Sequence, residues 1–135
     1  MNRQTLFAAA AGVALMVTTV PVAGHHSFAA EFDRDKTITV TGSVTKLEWT
    51  NPHARVFVDG KDETGKQQVW DFELGPPNGL MRNGWNRNSL KAGHQVKITG
   101  FRSKTSTVVA NARTVTLADG RQVFAGSSFD TGPSQ

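Results

Sequence analysis

A chain of 135 residues has room for one domain, and with no cysteine it can form no disulfide and present no thiolate as nucleophile or metal ligand. Fifteen Lys and Arg against eleven Asp and Glu give a formal net charge of +4, a mild excess in which bases and acids interleave. That pattern is not the clustered basic stripe of a nucleic-acid binder, and no nucleic acid is expected as a partner.

Met1–Thr5 carries a single charge, Arg3, and Leu6–Val20 then runs uncharged and rich in Ala, Val and Leu. Fifteen residues are too few to cross a hydrocarbon core, which takes roughly 20. They suit the apolar region of a secretory signal instead. Pro21 stops the apolar run, and Val22-Ala23-Gly24 offers the small residues that signal peptidase requires. Cutting after Gly24 puts Val22 and Gly24 at the critical positions, whereas cutting after Ala23 would put Pro21 there, a poor fit. Residues 1–24 are therefore read as a signal peptide, in preference to an uncleaved anchor, and the product as periplasmic or secreted with no membrane anchor after processing. Cleavage removes Arg3 and no acid, leaving 111 residues with 14 bases, 11 acids and a net charge of +3.

Residues 25–35 are expected to be an extended N-terminal segment. From Lys36 to Trp49 the pattern has period two: Ile38, Val40, Gly42 and Val44 share one face, and Thr37, Thr39, Thr41, Ser43 and Thr45 the other. Leu47 and Trp49 then fall out of phase, so a bulge near Thr45–Lys46 must reset the strand, and Gly42 allows a bend. Arg55–Asp59 alternates, Gly60–Lys66 is a polar turn, and Gln67–Leu74 sets Gln68, Trp70, Phe72 and Leu74 against Val69, Asp71 and Glu73. In Gly75–Ser89 the spacing of Met81 and Trp85 predicts a short helix between loops. A strand follows through Val96, Ile98 and Phe101, then a loop over Arg102–Thr107 and a strand at Ala112–Leu117. Asp119-Gly120 is a hairpin signal leading to Gln122–Phe124. The Gly- and Ser-rich tail, 125–135, is expected to be flexible.

A long bent strand, two strands, a short helix and two strands match an all-β fold: a small OB-like five-stranded Greek-key barrel over residues 36–124, with its helix between the third and fourth strands. A small β-sandwich is the alternative. His25-His26-Ser27-Phe28-Ala29-Ala30, Glu48-Trp49-Thr50-Asn51-Pro52-His53 and Trp70-Asp71-Phe72-Glu73-Leu74-Gly75, with Leu90–Gly93 and Val115–Gly120, together resemble a family of small exported bacterial proteins known as a domain of unknown function. The resemblance implies an exported barrel-like domain and no transferable activity. The family pattern has an acidic residue where His94 stands here, which makes His94 a poor candidate for a shared site.

The sharpest chemical feature is His25-His26. A cut after Gly24 frees the α-amine of His25 beside its own imidazole, a nitrogen chelate that suits Cu(II). A cut after Ala23 would leave Gly24-His25-His26, where the amine, two backbone amides and the His26 imidazole could form a square-planar Cu(II) or Ni(II) site. Against it stands a plain flexible N-terminus. His53, in the turn with Pro52, is a further candidate ligand or proton-transfer group, although a turn histidine bonded to backbone explains it as well. Asp71 and Glu73 share a strand face and could act as acid and base or add oxygen ligands beside His53; a solvated strand face has the same pattern. Trp49 and Trp70 belong with the core. Trp85, among polar neighbours, is the tryptophan expected to be partly exposed and, with Arg82 and Arg87, could bind an acidic or sugar-like ligand; against it stands an aromatic anchor for a helix that caps the barrel floor. Nothing resembles a nucleophile with its base. The function expected is a non-enzymatic binding or accessory module with a copper site at His25, His26 and His53. The alternative is a metal-free interaction domain that docks an envelope protein or small ligand.

Overall fold

A computed structural model describes residues 28–126. The expected signal peptide (residues 1–24), His25 and His26 lie outside that range, as does the tail from Ser127 onward. The protein is mostly β. After a short helix, α1 (Phe28–Glu31), come β1 (Phe32–Glu48), β2 (Arg55–Asp62), β3 (Gln67–Glu73), a second short helix α2 (Pro77–Arg82), β4 (Gln95–Ser103), β5 (Val109–Leu117) and β6 (Gln122–Phe124). They form a six-stranded sheet in the order β3-β2-β1-β4-β5-β6, antiparallel throughout, with a short additional parallel pairing between β3 and β5. No helix among the described residues is long and apolar enough to cross a membrane.

The strand β1 organises the sheet. It pairs with β4 from Phe32 to Ser43 and with β2 from Val40 to Glu48. Its register with β2 shifts between Val44 and Lys46, which makes Thr45 the extra residue, and the Thr45 hydroxyl donates to the carbonyl of Phe57 across the gap. Ile38, Val40 and Val44 are buried before the shift, and Leu47 and Trp49 pack against the core after it. The phase change in the sequence is thus resolved by a bulge, because only an extra residue returns odd-numbered side chains to the inner face.

Gly42 and Gly60 stand opposite each other, and a Cβ on Gly42 would lie 2.2 Å from the Asp59 carbonyl oxygen. The absence of side chains lets the two backbones approach. Trp70 fills the core nearby at 1 % exposure, its indole N–H donating to the Gly60 carbonyl at 3.0 Å. Phe72, Leu74, Ile98 and Val115 complete the centre of the core.

Pro77 starts α2, where a missing N–H costs nothing. Leu80, Trp85 and Leu90 anchor the segment that follows β3 onto the core. Here one expectation is overturned. Trp85 is 4 % exposed, with its indole N–H donating to the Phe124 carbonyl at 2.9 Å, so it is a core anchor rather than a surface aromatic.

Boundaries shift as well. Residues 28–31 are helical and β1 begins at Phe32, four residues before Lys36, because Phe32 is buried and pairs with Ser103. The strand β4 runs on to Ser103 and β5 begins at Val109, leaving a shorter loop than Arg102–Thr107 implied. Ala125 is fully buried and its backbone bonds both Arg113 and Gly75, so it closes the core instead of starting the tail.

Candidate functional site

Register places a row of side chains on the outer face, at the end of the sheet where β3 meets β5. Arg55 pairs with Glu73, Glu73 with Asn111 in the parallel contact, Asn111 with Phe101, and Phe101 with Thr37. Directly paired residues share a face, so these five side chains are neighbours across β2, β3, β5, β4 and β1.

Within the row a polar cluster forms. The imidazole Nδ1 of His53 lies 3.1 Å from Glu73 Oε1. Arg55 donates from Nε and Nη2 to the two oxygens of Asp71, both at 2.8 Å, and its Nη1 is 3.6 Å from Glu73 Oε2. All four side chains are partly buried, between 15 % and 29 % exposed. The bidentate bond from Asp71, against the opposing effect of burial, raises the Arg55 pKa further. Asp71 and Glu73 therefore do share a face, but Asp71 is committed to Arg55, and the two carboxylates do not form an acid–base couple.

Glu73 orients His53. In a neutral imidazole whose Nδ1–H is directed at a carboxylate the lone pair is on Nε2, the arrangement of histidines that bind metal or accept protons. Among the described residues no group of three His, Cys, Asp or Glu is placed to hold a metal ion. Asn111 adds a further polar group. It is 3 % exposed, and its side-chain oxygen has no hydrogen-bond partner.

The remaining candidates lie elsewhere. His94 is exposed and its Nδ1 accepts from the backbone N–H of Lys91 at 3.3 Å, a turn contact. Arg82 and Arg87 are exposed, while Trp85 faces inward and lines one wall of a shallow cavity of about 150 Å³ with Ser89, Leu117 and Arg121. Trp85 is therefore withdrawn from any ligand surface that the exposed Arg82 and Arg87 could offer.

Sequence reasoning passed over a second polar centre. Asp62, its side chain 2 % exposed, accepts from the Thr64 N–H and hydroxyl, the Lys66 N–H and the Arg102 guanidinium. Arg102 also reaches Glu63 at 2.7 Å, and Glu63 accepts from the Thr39 N–H. These bonds, led by that from the Thr64 hydroxyl and opposed by burial, hold the Asp62 carboxyl well below the usual carboxylate range. An Asp two residues before a Thr, with Gly next, is a local signal for such a turn. Its tie to Arg102, forty residues away, leaves no trace in the sequence. With every oxygen occupied by protein donors, the centre is a fastening for the β2–β3 turn.

The model of a family of unknown function, DUF6152, matches residues 13–111. No curated protein and no solved structure matches the chain.

Proposed function

The chain belongs to DUF6152, a family of unknown function, and from that premise we propose that it is an exported, non-enzymatic binding module: an OB-like barrel carrying a Cu(II) site drawn from His25, His26 and His53. The observation that carries the reading is the 3.1 Å approach of His53 Nδ1 to Glu73 Oε1. A carboxylate that fixes the tautomer of a histidine and raises its basicity is the usual outer support of a metal ligand. The OB-like assignment is supported by the bulged first strand shared between β2 and β4, by the β3–β5 contact, and by a helix between β3 and β4.

Placement supports bringing the three histidines together. Phe28 stacks edge-on against Phe101 at 5.6 Å between ring centroids, and Phe101 is two strands from Glu73 along the row. Two strand spacings are about 10 Å, which the three residues from His25 to Phe28 can span when extended. With cleavage after Gly24, the amine and imidazole of His25, with His26 and His53, supply nitrogen donors enough for a tetragonal Cu(II) site.

Intact mass of the processed protein fixes its first residue. Cu(II) titration then compares wild type with His25→Ala, His26→Ala, His53→Ala and Glu73→Gln. Loss of tight uptake is expected in the histidine variants, with a weakening of about 10–100-fold in Glu73→Gln. Equal, weak uptake by all five proteins would refute the metal site and favour the competing reading, a domain that docks an envelope protein or small ligand without metal.

A further inference from the structure

The interleaving of charge expected from the overall composition holds for only part of the chain. Residues 28–73 carry nine acids and six bases, but the 45 residues from Leu74 to Ala118 carry seven bases and no acid at all. Arg102 is engaged by Asp62 and Glu63, and Lys104 donates to the carbonyl of Ala29. Arg82, Arg87 and Lys91 make no ion pair among the described residues, and all three are exposed.

These three bases occupy one strap, residues 76–93, pinned to the core by Leu80, Trp85 and Leu90. With the three anchors buried, the residues between them are exposed: Met81-Arg82-Asn83 at the end of α2, before Trp85, and Asn86-Arg87-Asn88 in the turn after it, followed by Lys91. Met81 is 52 % exposed, one of three large apolar side chains in that state among the described residues. The carboxylate of Asp119, on the β5–β6 hairpin whose Leu117 and Arg121 share a cavity with Trp85 and Ser89 of the strap, is taken by Arg121 at 2.7 Å.

We propose that this strap docks the protein on an anionic phospholipid surface, with Met81 entering the headgroup boundary and Arg82, Arg87 and Lys91 meeting lipid phosphates. The pattern favours lipid over other anionic partners. A stable protein interface needs on the order of 1,200 Å² around an apolar centre, and one methionine among Arg and Asn is too little. An acidic polymer would satisfy the bases but has no use for Met81. An interfacial element combines both, a small apolar insertion and a basic rim. The association is peripheral and salt-sensitive, and it is independent of the copper reading.

The test is co-sedimentation of the chain, as isolated from the envelope, with vesicles of equal parts phosphatidylcholine and phosphatidylglycerol, against pure phosphatidylcholine. At roughly fivefold per base, Arg82→Glu alone should lose at least about fivefold in partitioning, and Arg82→Glu/Arg87→Glu/Lys91→Glu, which removes three bases and adds three acids, at least about a hundredfold. Met81→Ser should lose several-fold, and molar salt should abolish binding. Arg113→Glu, an exposed base on β5, serves as the control and should change little. Thermal melts of all variants confirm folding. Four results would overturn the proposal: no preference for the anionic vesicles, sedimentation without vesicles, a loss in Arg113→Glu as large as in Arg82→Glu, or an unaffected Met81→Ser.

Discussion

A side chain is tolerated or refused at a glycine position by what stands around it, and two glycines of this protein make opposite cases. A Cβ on Gly100 would fall 1.7 Å from the backbone oxygen of Asn111, beside the register shift between Thr99 and Gly100. Gly100→Ala must push β4 and β5 apart, at an expected cost of about 3 kcal/mol or more in urea unfolding. Gly79 lies inside α2, where the nearest atom to a Cβ is Pro76 Cγ at 3.5 Å. Gly79→Ala should therefore be neutral or stabilise by up to about 1 kcal/mol, since alanine is the better helix former. The two look alike in the sequence. Trp85 teaches the same lesson: Arg82, Asn83, Arg87 and Asn88 around it read as surface, while the acceptor that permits burial of its indole, the Phe124 carbonyl, lies 39 residues away.

Among the elements, β1 was read most closely, because alternation is a local property and its failure after Val44 has one cheap remedy. Deleting Thr45 removes that remedy. Leu47 and Trp49 would then turn from the core to solvent, and urea denaturation should show a loss of about 2–4 kcal/mol; an unchanged midpoint would mean that the bulge is dispensable. The turn that holds His53 is different. His53, Arg55, Asp71 and Glu73 each appear in the sequence as parts of ordinary alternation, and Asp71 with Glu73 suggested a carboxylate pair. The β2–β3 register, which sets Arg55 opposite Glu73 and two residues from Asp71, decides how those charges are shared. Asn111 joins them only through the parallel β3–β5 contact.

For the molecule as a whole, the clearest electrostatic consequence is the acid limb of stability. Asp62, Glu63 and Asp119 are all held below their ordinary values; for Asp62 the Thr64 hydroxyl leads, for Glu63 burial is the largest single influence and acts upward but is overcome by the Thr39 N–H, its own N–H and Arg102 together, and for Asp119 Arg121 leads. A carboxyl with a depressed folded pKa binds fewer protons than the unfolded chain, so its stabilisation is complete above about pH 5 and is lost as pH falls below about 4. Thermal melting should therefore be flat from neutrality to about pH 5 and decline below it. Asp62→Asn should melt lower than wild type at pH 7, and the gap should narrow as pH falls below about 4, where the unfolded chain's carboxyl takes up a proton that the folded one, held far lower, still refuses. A gap of constant size would show that the aspartate contributes shape alone. The raised values of Arg55 and Arg102 affect only strongly alkaline solutions.

Alternation, turn residues and the phase slip in β1 are written in neighbouring residues, so the sequence alone determined the β class, the order of the strands, the short helix between β3 and β4, the bulge and the closing hairpin, though not the helical turn of α1. Membership in the family was legible in the same way, from short motifs. The β3–β5 contact, the inward turn of Trp85, the buried Asp62 with its arginine, and the seating of His53 against Glu73 were decided only by the tertiary structure. Each joins residues far apart in the chain, and backbone register and burial, which no local pattern encodes, choose which of them meet.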